Sequence, residues 1–289
     1  KKILSVILVF VLSFLLLGST VAEAATIKLN KTKVTIDEGK SYTLKITGTT
    51  KTVKWSTSNK AIATVSSKGV VKGIKAGSAT ITATVSSKKY TCKITVKEVF
   101  NAKKAIQKLS AEDFITDRGV VQIVKNDYSF PMELEATIVY YDADNMMIGK
   151  SNARNYFFEK DKECALIYTA PYDSSYNKVP YDHYIIKYSV GPIKYTTSNL
   201  KDIKLDSNIG IDNVMVEVTN DGDLSADYTE LYILFYKDGE MVGYGNRYVD
   251  VQEPGSVDYL EFSFPWDENY DTIEIDDYKL YVNSSYGFK

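Results

Sequence analysis

The chain has 289 residues, of which 44% are hydrophobic and 25% charged, and its formal net charge at pH 7 is −2. This composition is typical of a globular protein. The length is too great for one ordinary β-sandwich but suits two or three modules. With one histidine and two cysteines, the chain lacks the ligands for a catalytic zinc site.

The N-terminus carries the features of a secretory signal. Two lysines precede an apolar run over residues 3–17, and residues 22–24 (Ala-Glu-Ala) suit a signal peptidase. The alternative is an uncleaved membrane anchor, but the run is shorter than the roughly 20 residues that a spanning helix needs. We therefore expect residues 1–24 to be removed. The product would be extracellular, either released or held at the cell wall, with no membrane span.

Charge divides the remaining chain into two parts. Residues 25–98 contain 15 lysines, no arginine and three acidic residues, which gives +12. Residues 99–289 contain 18 basic and 33 acidic residues, which gives −15. This asymmetry predicts a basic module followed by acidic ones.

The basic part, residues 25–98, has the pattern of a small β-sandwich. Apolar and polar residues alternate over 79–85 and over 90–96, and turn-forming stretches separate such runs. A period of two with one apolar face is typical of half-buried strands. Several short strands in so short a segment predict an antiparallel sandwich.

Four segments of this part resemble the bacterial Ig-like group 2 family: 53–59 (VKWSTSN), 61–65 (AIATV), 69–73 (GVVKG) and 76–83 (AGSATITA). That family is known from surface proteins and adhesins, so the resemblance implies a structural and binding module without catalysis. Trp55 would fill the core of such a sandwich. Gly69, Gly73 and Gly77 suit tight turns, where a Cβ would be unfavourable.

Residues 99–118 are expected to connect the modules. The segment 102–109 has the composition of a short helix, and 109–115 that of a first strand. We predict a short helical linker followed by that strand.

The remainder contains an internal repeat, in which residues 120–188 recur at 214–282 with an offset of 94 and no gap. Matching segments are 124–127 (VKND) with 218–221 (VTND), and 171–173 (PYD) with 265–267 (PWD). This register predicts one module built twice, at 119–198 and 199–289. A site that belongs to the module should therefore appear in both copies.

Both copies have the pattern of β-structure, because branched and aromatic residues over 137–141 and 231–236 favour strands. Each strand leads into a hairpin turn, where Gly239 suits a left-handed position. Asn145 occupies the equivalent position in the first copy, and asparagine is the residue best suited to it after glycine. The strand–Tyr–Asp–turn–Gly arrangement resembles the short FxLYD-type surface domains, also Ig-like. The predicted fold class is all-β, with three tandem Ig-like β-sandwich modules after a signal peptide.

The histidine and the cysteines are weak candidates for chemistry. His183 has Asp277 at its equivalent position, so we expect a partly exposed surface residue. Cys92 and Cys164 both fall on inward-facing positions. We expect buried free thiols rather than a disulfide, which would need the two Cα atoms within about 7 Å. A Cys164–His183 nucleophile pair lacks a counterpart in the second copy and a third member.

Four recurring aspartates are candidate calcium ligands: Asp173, Asp182, Asp267 and Asp276. Their spacing matches no known calcium loop. An aspartate after Pro-Tyr or Pro-Trp more often caps a turn by accepting backbone N–H groups. We therefore expect turn capping, with no metal or other cofactor.

Tyr172 and Trp266 occupy the same place in the two copies, between Pro and Asp. An aromatic residue in a loop can be a platform for a sugar ring or for a partner's apolar patch. It can equally plug the end of the sandwich, and that is the interpretation we prefer.

The lysines of residues 25–98 are many and scattered. Candidate polyanion contacts are Lys51, Lys54, Lys88 and Lys89, and wall teichoic acid or an acidic glycan would suit them. The alternative, a solvated and soluble face, is the one we prefer. Nucleic acid is not expected, because this part lacks arginine and basic residues interleaved with aromatic ones.

These observations predict a non-catalytic secreted or cell-surface protein of a bacterium, which binds or displays through adhesion or association with the cell wall or a glycan. Its partner would be a wall polyanion, a glycan or a surface protein. The alternative is a carbohydrate-binding accessory protein for a separate extracellular enzyme. A hydrolase would need two carboxylates at a defined separation in a cleft, which the sequence does not show.

Overall fold

The structure is a computed structural model that describes residues 26–193, 198–251, 253–267 and 269–286. The predicted signal peptide lies outside these residues. Nearly all regular structure in the described part is β-strand, so the all-β prediction is confirmed. The chain divides into two compact units between Val99 and Phe100, and each unit is described by itself.

The first unit is a sandwich of two sheets. Its strands are β1 (Lys28–Leu29), β2 (Lys33–Asp37), β3 (Ser41–Thr43), β4 (Ile46–Thr47), β5 (Val53–Thr57), β6 (Ala63–Val65), β7 (Val70–Gly73), β8 (Gly77–Val85) and β9 (Lys88–Lys97). The sheets have the orders β2-β9-β8-β5 and β3-β7-β6, and β1 pairs with β4. Strand β2 runs parallel to β9, so the prediction of a purely antiparallel sandwich is wrong. The two strands come from opposite ends of the module, and no hairpin forces them antiparallel.

Trp55 and Gly69 fit together in this unit. The Trp55 ring packs against the buried core, as the sequence predicts. Gly69 has a φ of 78°, a conformation that glycine adopts without strain. A Cβ built on Gly69 would lie 2.4 Å from the Leu44 carbonyl oxygen and 2.9 Å from the indole of Trp55. Close approach and backbone conformation therefore both require glycine here.

The second unit begins with the short helix Ala102–Ile106, which Asn101 caps by accepting a hydrogen bond from the Lys104 N–H. Ala105 is buried in the core of the first copy of the repeat, and the Asn101 N–H donates to the Tyr128 hydroxyl at 2.9 Å. The predicted helix is present. It is packed into the second unit rather than forming a free linker.

In the part of the chain that the structure describes, each copy of the repeat forms a sandwich of six strands. The first copy contains β10 (Leu109–Thr116), β11 (Gly119–Asn126), β12 (Met132–Tyr141), β13 (Met147–Phe158), β14 (Glu163–Thr169) and β15 (His183–Pro192). The second contains the 3₁₀ turn Leu200–Asp202, β16 (Ile203–Ile209), β17 (Asn213–Asn220), β18 (Tyr228–Lys237), β19 (Glu240–Val249), β20 (Val257–Ser263) and β21 (Asp277–Tyr286). The sheet orders are β10-β11-β14 and β13-β12-β15 in one copy, and β16-β17-β20 and β19-β18-β21 in the other.

The strand register shows that the two copies are not aligned without a gap. Val139 pairs with Lys150, and the equivalent pair is Leu234 with Tyr244. The offset is therefore 95 along β12 and β18 but 94 along β13 and β19. The second copy has one more residue before β18 and one fewer in its hairpin turn. Because the two length changes cancel, the ungapped alignment is correct before β18 and after the hairpin turn. Along β18 itself it is wrong by one residue.

A buried asparagine closes the same loop in both copies. The side-chain amide of Asn126 donates to the carbonyls of Phe130, Phe158 and Glu159 at 3.1–3.2 Å. Asn220 makes the equivalent set of bonds at 3.0–3.3 Å. Both side chains are fully buried, so this repeated residue holds loop backbone that would otherwise lack partners.

The interiors of the two copies differ in polarity. In the first copy, Gln122 accepts hydrogen bonds from the hydroxyls of Tyr168 and Tyr188 at 3.1 and 2.8 Å, and it donates to Asp113 at 2.7 Å. The second copy has only apolar side chains at the positions equivalent to Gln122, Tyr168 and Tyr188, namely Val216, Phe262 and Val282. Burial raises the pKa of Tyr188 to about 12, because an ionised phenol is unfavourable there.

The two copies pack against each other through one sheet of each. We call the outer surface of sheet β10-β11-β14 the β11 face and that of sheet β19-β18-β21 the β18 face. Together they form an apolar cluster of Phe114, Val121, Ile123, Ile167, Leu234, Tyr236, Met241, Tyr244 and Tyr281. The sheets on the far sides are not used in this contact, and we call their outer surfaces the β12 face of the first copy and the β17 face of the second.

Asn283 adds a polar bond to this joint. Its side-chain oxygen accepts from the Ala165 N–H at 2.9 Å, and its amide donates to the Ala165 carbonyl. The Asn283 carbonyl in turn accepts from the side chain of Asn155. Ala165 lies on β14, an edge strand of its sheet. The Asn283 amide thus takes the place of a neighbouring strand and covers part of that edge.

Candidate functional site

Both copies build the same aromatic loop, residues 171–179 and 265–273. In each, the aspartate after Pro-Tyr or Pro-Trp fastens the turn. Asp173 accepts from the N–H groups of Ser175 and Asn177 at 2.8 and 2.9 Å. Asp267 accepts from those of Asn269 and Asp271 at the same distances.

The proline of each loop packs on a strand of its own copy. A Cβ on Gly149 would lie 2.7 Å from Cβ of Pro171, and a Cβ on Gly243 would lie 2.5 Å from Cβ of Pro265. These two glycines, which recur in the sequence, therefore leave room for the loop. The recurring Gly, Pro and Asp residues all serve to hold one loop in place.

Each loop presents two exposed aromatic side chains. Tyr172 and Trp266 are 46% and 64% exposed, and Tyr176 and Tyr270 are 89% and 84% exposed. The preferred interpretation, that Tyr172 and Trp266 plug the sandwich, is wrong. Both lie in a loop beyond the last strand residue, where inward and outward positions do not alternate.

The loop of the second copy borders a groove between the two copies, which we call the junction groove. Its volume is about 510 Å³, and its lining residues include Asp117, Arg118, Tyr244, Asn246, Arg247, Trp266, Asp267 and Tyr270. The Arg118 guanidinium lies 5.1 Å from the centre of the Tyr244 ring. That of Arg247 lies 5.7 Å from the Phe262 ring. A ring in this position orients a guanidinium. Arg247 donates one N–H to the Asn246 carbonyl at 3.0 Å, which leaves its other N–H groups for a ligand.

Sequence reasoning missed both arginines. The chain has only three arginines, and two of them line this groove, so their rarity was a usable signal. The groove combines exposed rings, planar donors, an amide and carboxylates. That set suits a ligand with apolar faces and many hydroxyls.

The other candidate carboxylates take part in local bonds. Asp182 lies 3.0 Å from Nδ1 of His183, and the His183 ring stacks on Tyr141. Asp276 accepts from the Asp238 N–H at 2.7 Å, which fixes the hairpin turn. Within the described residues, no three His, Cys, Asp or Glu side chains are grouped so that they could hold a metal ion.

The two cysteines are free, and both are fully buried, as the sequence predicts. Burial raises the pKa of the Cys164 thiol to about 12 and also raises that of Cys92. Since the thiolate is the reactive form, neither is suited to act as a nucleophile.

The four candidate lysines of the first unit lie at one end of its larger sheet. Lys54 pairs with Thr84, which pairs with Lys89, so both lysines flank one threonine on the same face. Lys88 precedes Lys89 as the first residue of β9, and Nζ of Lys51 lies 3.4 Å from Oγ of Ser86. Three further lysines lie along the outer face of this sheet, namely Lys33, Lys93 and Lys97.

None of the helices in the described residues is long and apolar enough to cross a membrane. No curated protein matches the chain.

Three solved structures show a loose likeness to the chain. The S-layer protein rSbsC(31-844) has 14% identity and a TM-score of 0.23, over 78% of this chain and 25% of that one. Domains 5-6 of the S-layer protein SbsC have 16% identity and a TM-score of 0.23, over 79% and 97%. Salmonella alpha-2-macroglobulin reacted with methylamine has 8% identity and a TM-score of 0.19, over 90% and 23%. Likeness at this level supports no conclusion about function.

The first unit contains most of the segment that matches a known family. The resemblance of residues 119–289 to FxLYD-type domains stays a prediction. Residues 23–104 match the family model of the bacterial Ig-like domain (group 2), which confirms the resemblance predicted for this part of the chain.

Proposed function

We propose that the chain is a non-catalytic protein of the bacterial cell exterior that binds saccharides through its aromatic loops, with the junction groove as the main site. The observation that carries the proposal is the exposed aromatic pair held in both copies. A pyranose ring offers an apolar face to such rings, and the arginines, Asn246 and the carboxylates can bond its hydroxyls.

The backbone of the loop supports a role for its tyrosines. Tyr176 and Tyr270 have φ values of 63° and 66°, a region that bulky residues seldom occupy. Glycine or asparagine would be more stable there. Both copies have an exposed tyrosine at this strained position. This indicates that the tyrosine ring serves recognition rather than folding.

The carboxylate of the first loop is unsuited to acid catalysis. Hydrogen bonds from Asn177 hold the pKa of Asp173 below its ordinary value. A general acid at neutral pH needs the opposite shift, so the loop favours binding over hydrolysis.

The test uses a glycan array and retention on insoluble polysaccharide. Trp266→Ala is expected to weaken binding about 2–12-fold, since an aromatic contact contributes roughly 0.5–1.5 kcal/mol. Tyr248→Ala removes a ring that is 78% exposed and does not line the groove, so it should change nothing. No retained glycan, or equal effects of the two substitutions, would contradict the proposal.

A second variant separates binding from stability. Tyr270→Asn should raise the free energy of unfolding by about 0.5–1 kcal/mol, because it relieves the left-handed backbone. It should also weaken glycan binding. Binding to whole cells or host proteins without glycan binding would instead favour an adhesin. Binding to polysaccharide would suit an accessory protein of a separate enzyme.

The basic sheet of the first unit supports a second contact, with a wall polyanion. Its outer face places Lys54 and Lys89 on either side of Thr84, with Lys93 further along β9. Retention on purified walls should be strong at about 10 mM salt and weak at about 1 M, because salt screens exposed charges. Lys54→Gln with Lys89→Gln should lower retention, whereas Lys60→Gln with Lys68→Gln, off this sheet, serves as the control. Salt-insensitive retention would exclude this mechanism.

A further inference from the structure

We infer that a second copy of this chain docks head to tail, with its β17 face on the β12 face of the first, by repeating the joint between the two copies of the module. The joint within one chain is heterologous, since it uses the β11 face of one copy and the β18 face of the other. The module is duplicated, so each chain also carries one unused equivalent of each face.

The unused β12 face is a basic version of the β18 face. By strand register, Val139 and Tyr141 stand where Leu234 and Tyr236 are buried in the joint. Lys150 pairs with Val139, just as Tyr244 pairs with Leu234, so Lys150 occupies the position of Tyr244. Lys187, beside Thr137, likewise replaces Tyr281, beside Tyr232.

The unused β17 face is an acidic version of the β11 face. Met215 takes the place of Val121. Glu217 takes that of Ile123, and Glu261, which pairs with Met215, takes that of Ile167. Asp206, opposite Glu217, adds a further acidic group.

At the positions that correspond to the joint, the two faces are complementary in charge, with lysines on the β12 face and glutamates on the β17 face. The β12 face also carries Glu133 and Glu135, of which Glu135 pairs with Arg154 at 2.8 Å. Lys150, Lys187 and Glu217 make no ion pair within the described part of the chain. Glu261 accepts one hydrogen bond from Asn213. In the geometry of the existing joint, these lysines and glutamates stand where apolar side chains now meet, so docking would bring opposite charges together.

Apolar groups remain between these charges. Met147 and Ile185 on the β12 face are 63% and 45% exposed, and Met215 and Tyr259 on the β17 face are 37% and 68% exposed. Large apolar side chains on a sheet surface are typical of a contact face. Docking of the two faces would therefore bury apolar side chains, as the existing joint does. The opposite charges would make the association salt-dependent and reversible.

This contact has no twofold symmetry, so it leaves one β12 face and one β17 face unused at the ends of every assembly. A heterologous contact of this kind produces an open chain unless its rotation happens to close a ring. Assemblies should therefore grow with concentration rather than stop at a dimer.

Sedimentation velocity of the protein from Ala25 to its C-terminus tests the inference. At about 10 mM salt, the weight-average mass should at least double as the concentration rises, and at about 1 M salt it should stay that of one chain. The double variant Lys150→Glu with Lys187→Glu should not associate alone, and neither should Glu217→Lys with Glu261→Lys. Lys160→Glu with Lys162→Glu, in a loop off both faces, should associate like the native chain.

Mixing the two face variants provides the decisive experiment. One then offers two acidic faces and the other two basic faces, so the mixture should associate although neither does alone. Recovery in the mixture also shows that both variants are folded. A native chain that stays monomeric at low salt, a control that loses association, or a mixture that does not associate would overturn the inference.

Discussion

Replacing Asn283 with alanine should loosen the joint between the two copies of the module. The side chain satisfies the N–H and the carbonyl of Ala165 across the joint, and it is 1% exposed. Leaving two buried backbone groups without partners lowers the free energy of unfolding by about 1–3 kcal/mol each. We therefore expect a loss of about 2–6 kcal/mol for the second unit.

Urea denaturation gives this loss, and hydrogen exchange at the Ala165 amide locates it. Protection at Ala165 should fall by at least tenfold, while that of buried amides in the first unit should not change. Ser189 of β15 lies 94 residues before Asn283 and is exposed, whereas Asn283 lies at a register shift of β21. Ser189→Ala should therefore shift stability by less than about 0.5 kcal/mol. The same small effect of both substitutions would show that the Asn283 amide does not hold the joint.

Three further predictions follow from the cores and the turns. Gly69→Ala should destabilise the first unit by about 2–4 kcal/mol, through backbone strain and the clash with Leu44. The control is Gly39→Ala, because Gly39 has a φ of 81° and no atom lies within 4 Å of an added Cβ. In urea titrations the control should lose only about 1 kcal/mol of unfolding free energy. The buried Cys164 thiol should resist iodoacetamide at pH 8 and react fully in denaturant, so labelling of the native chain, read by mass spectrometry, would contradict its burial. The pKa of Tyr184 is raised to about 12 by burial and by Asp113, so its contribution to stability should be full below pH 10 and lost as the pH rises toward 12; a flat melting temperature over that range would count against it.

The sequence predicts local structure well where one physical rule decides it. Alternation correctly placed β8 and β9, whose inward residues are buried. The hairpin turns were also predicted correctly, since Asn145 and Gly239 both have positive φ. These features depend on side-chain direction and backbone conformation, which neighbouring residues determine.

Relations across the chain were harder to predict. The sequence of β11 does indicate the joint between the copies. Val120-Val121 and Ile123-Val124 put apolar side chains on both faces of this strand. A strand that is apolar on both faces is typical of a sheet covered on both sides. The partner surface could not be read in the same way, because the compensating length changes around β18 hid the true equivalence of Leu234.

The junction groove escaped prediction for a related reason. Arg118 and Arg247 come from different copies, and nothing in their local sequence indicates that they approach one aromatic loop. Only the packing of the copies brings them together. The aspartate that caps the loop could be predicted, because it bonds N–H groups only two and four residues away.

The polar interior of the first copy protects the chain against a particular error of folding. Adjacent copies of one module tend to exchange strands while they fold. If β17 entered the first sandwich in place of β11, Val216 would face the hydroxyls of Tyr168 and Tyr188, and both would lose the acceptor that Gln122 provides. The reverse exchange would bury the Gln122 amide among valine and phenylalanine. Divergence at three interior positions thus makes each copy recognise its own strands, so that two sequences of common origin assemble side by side without mixing.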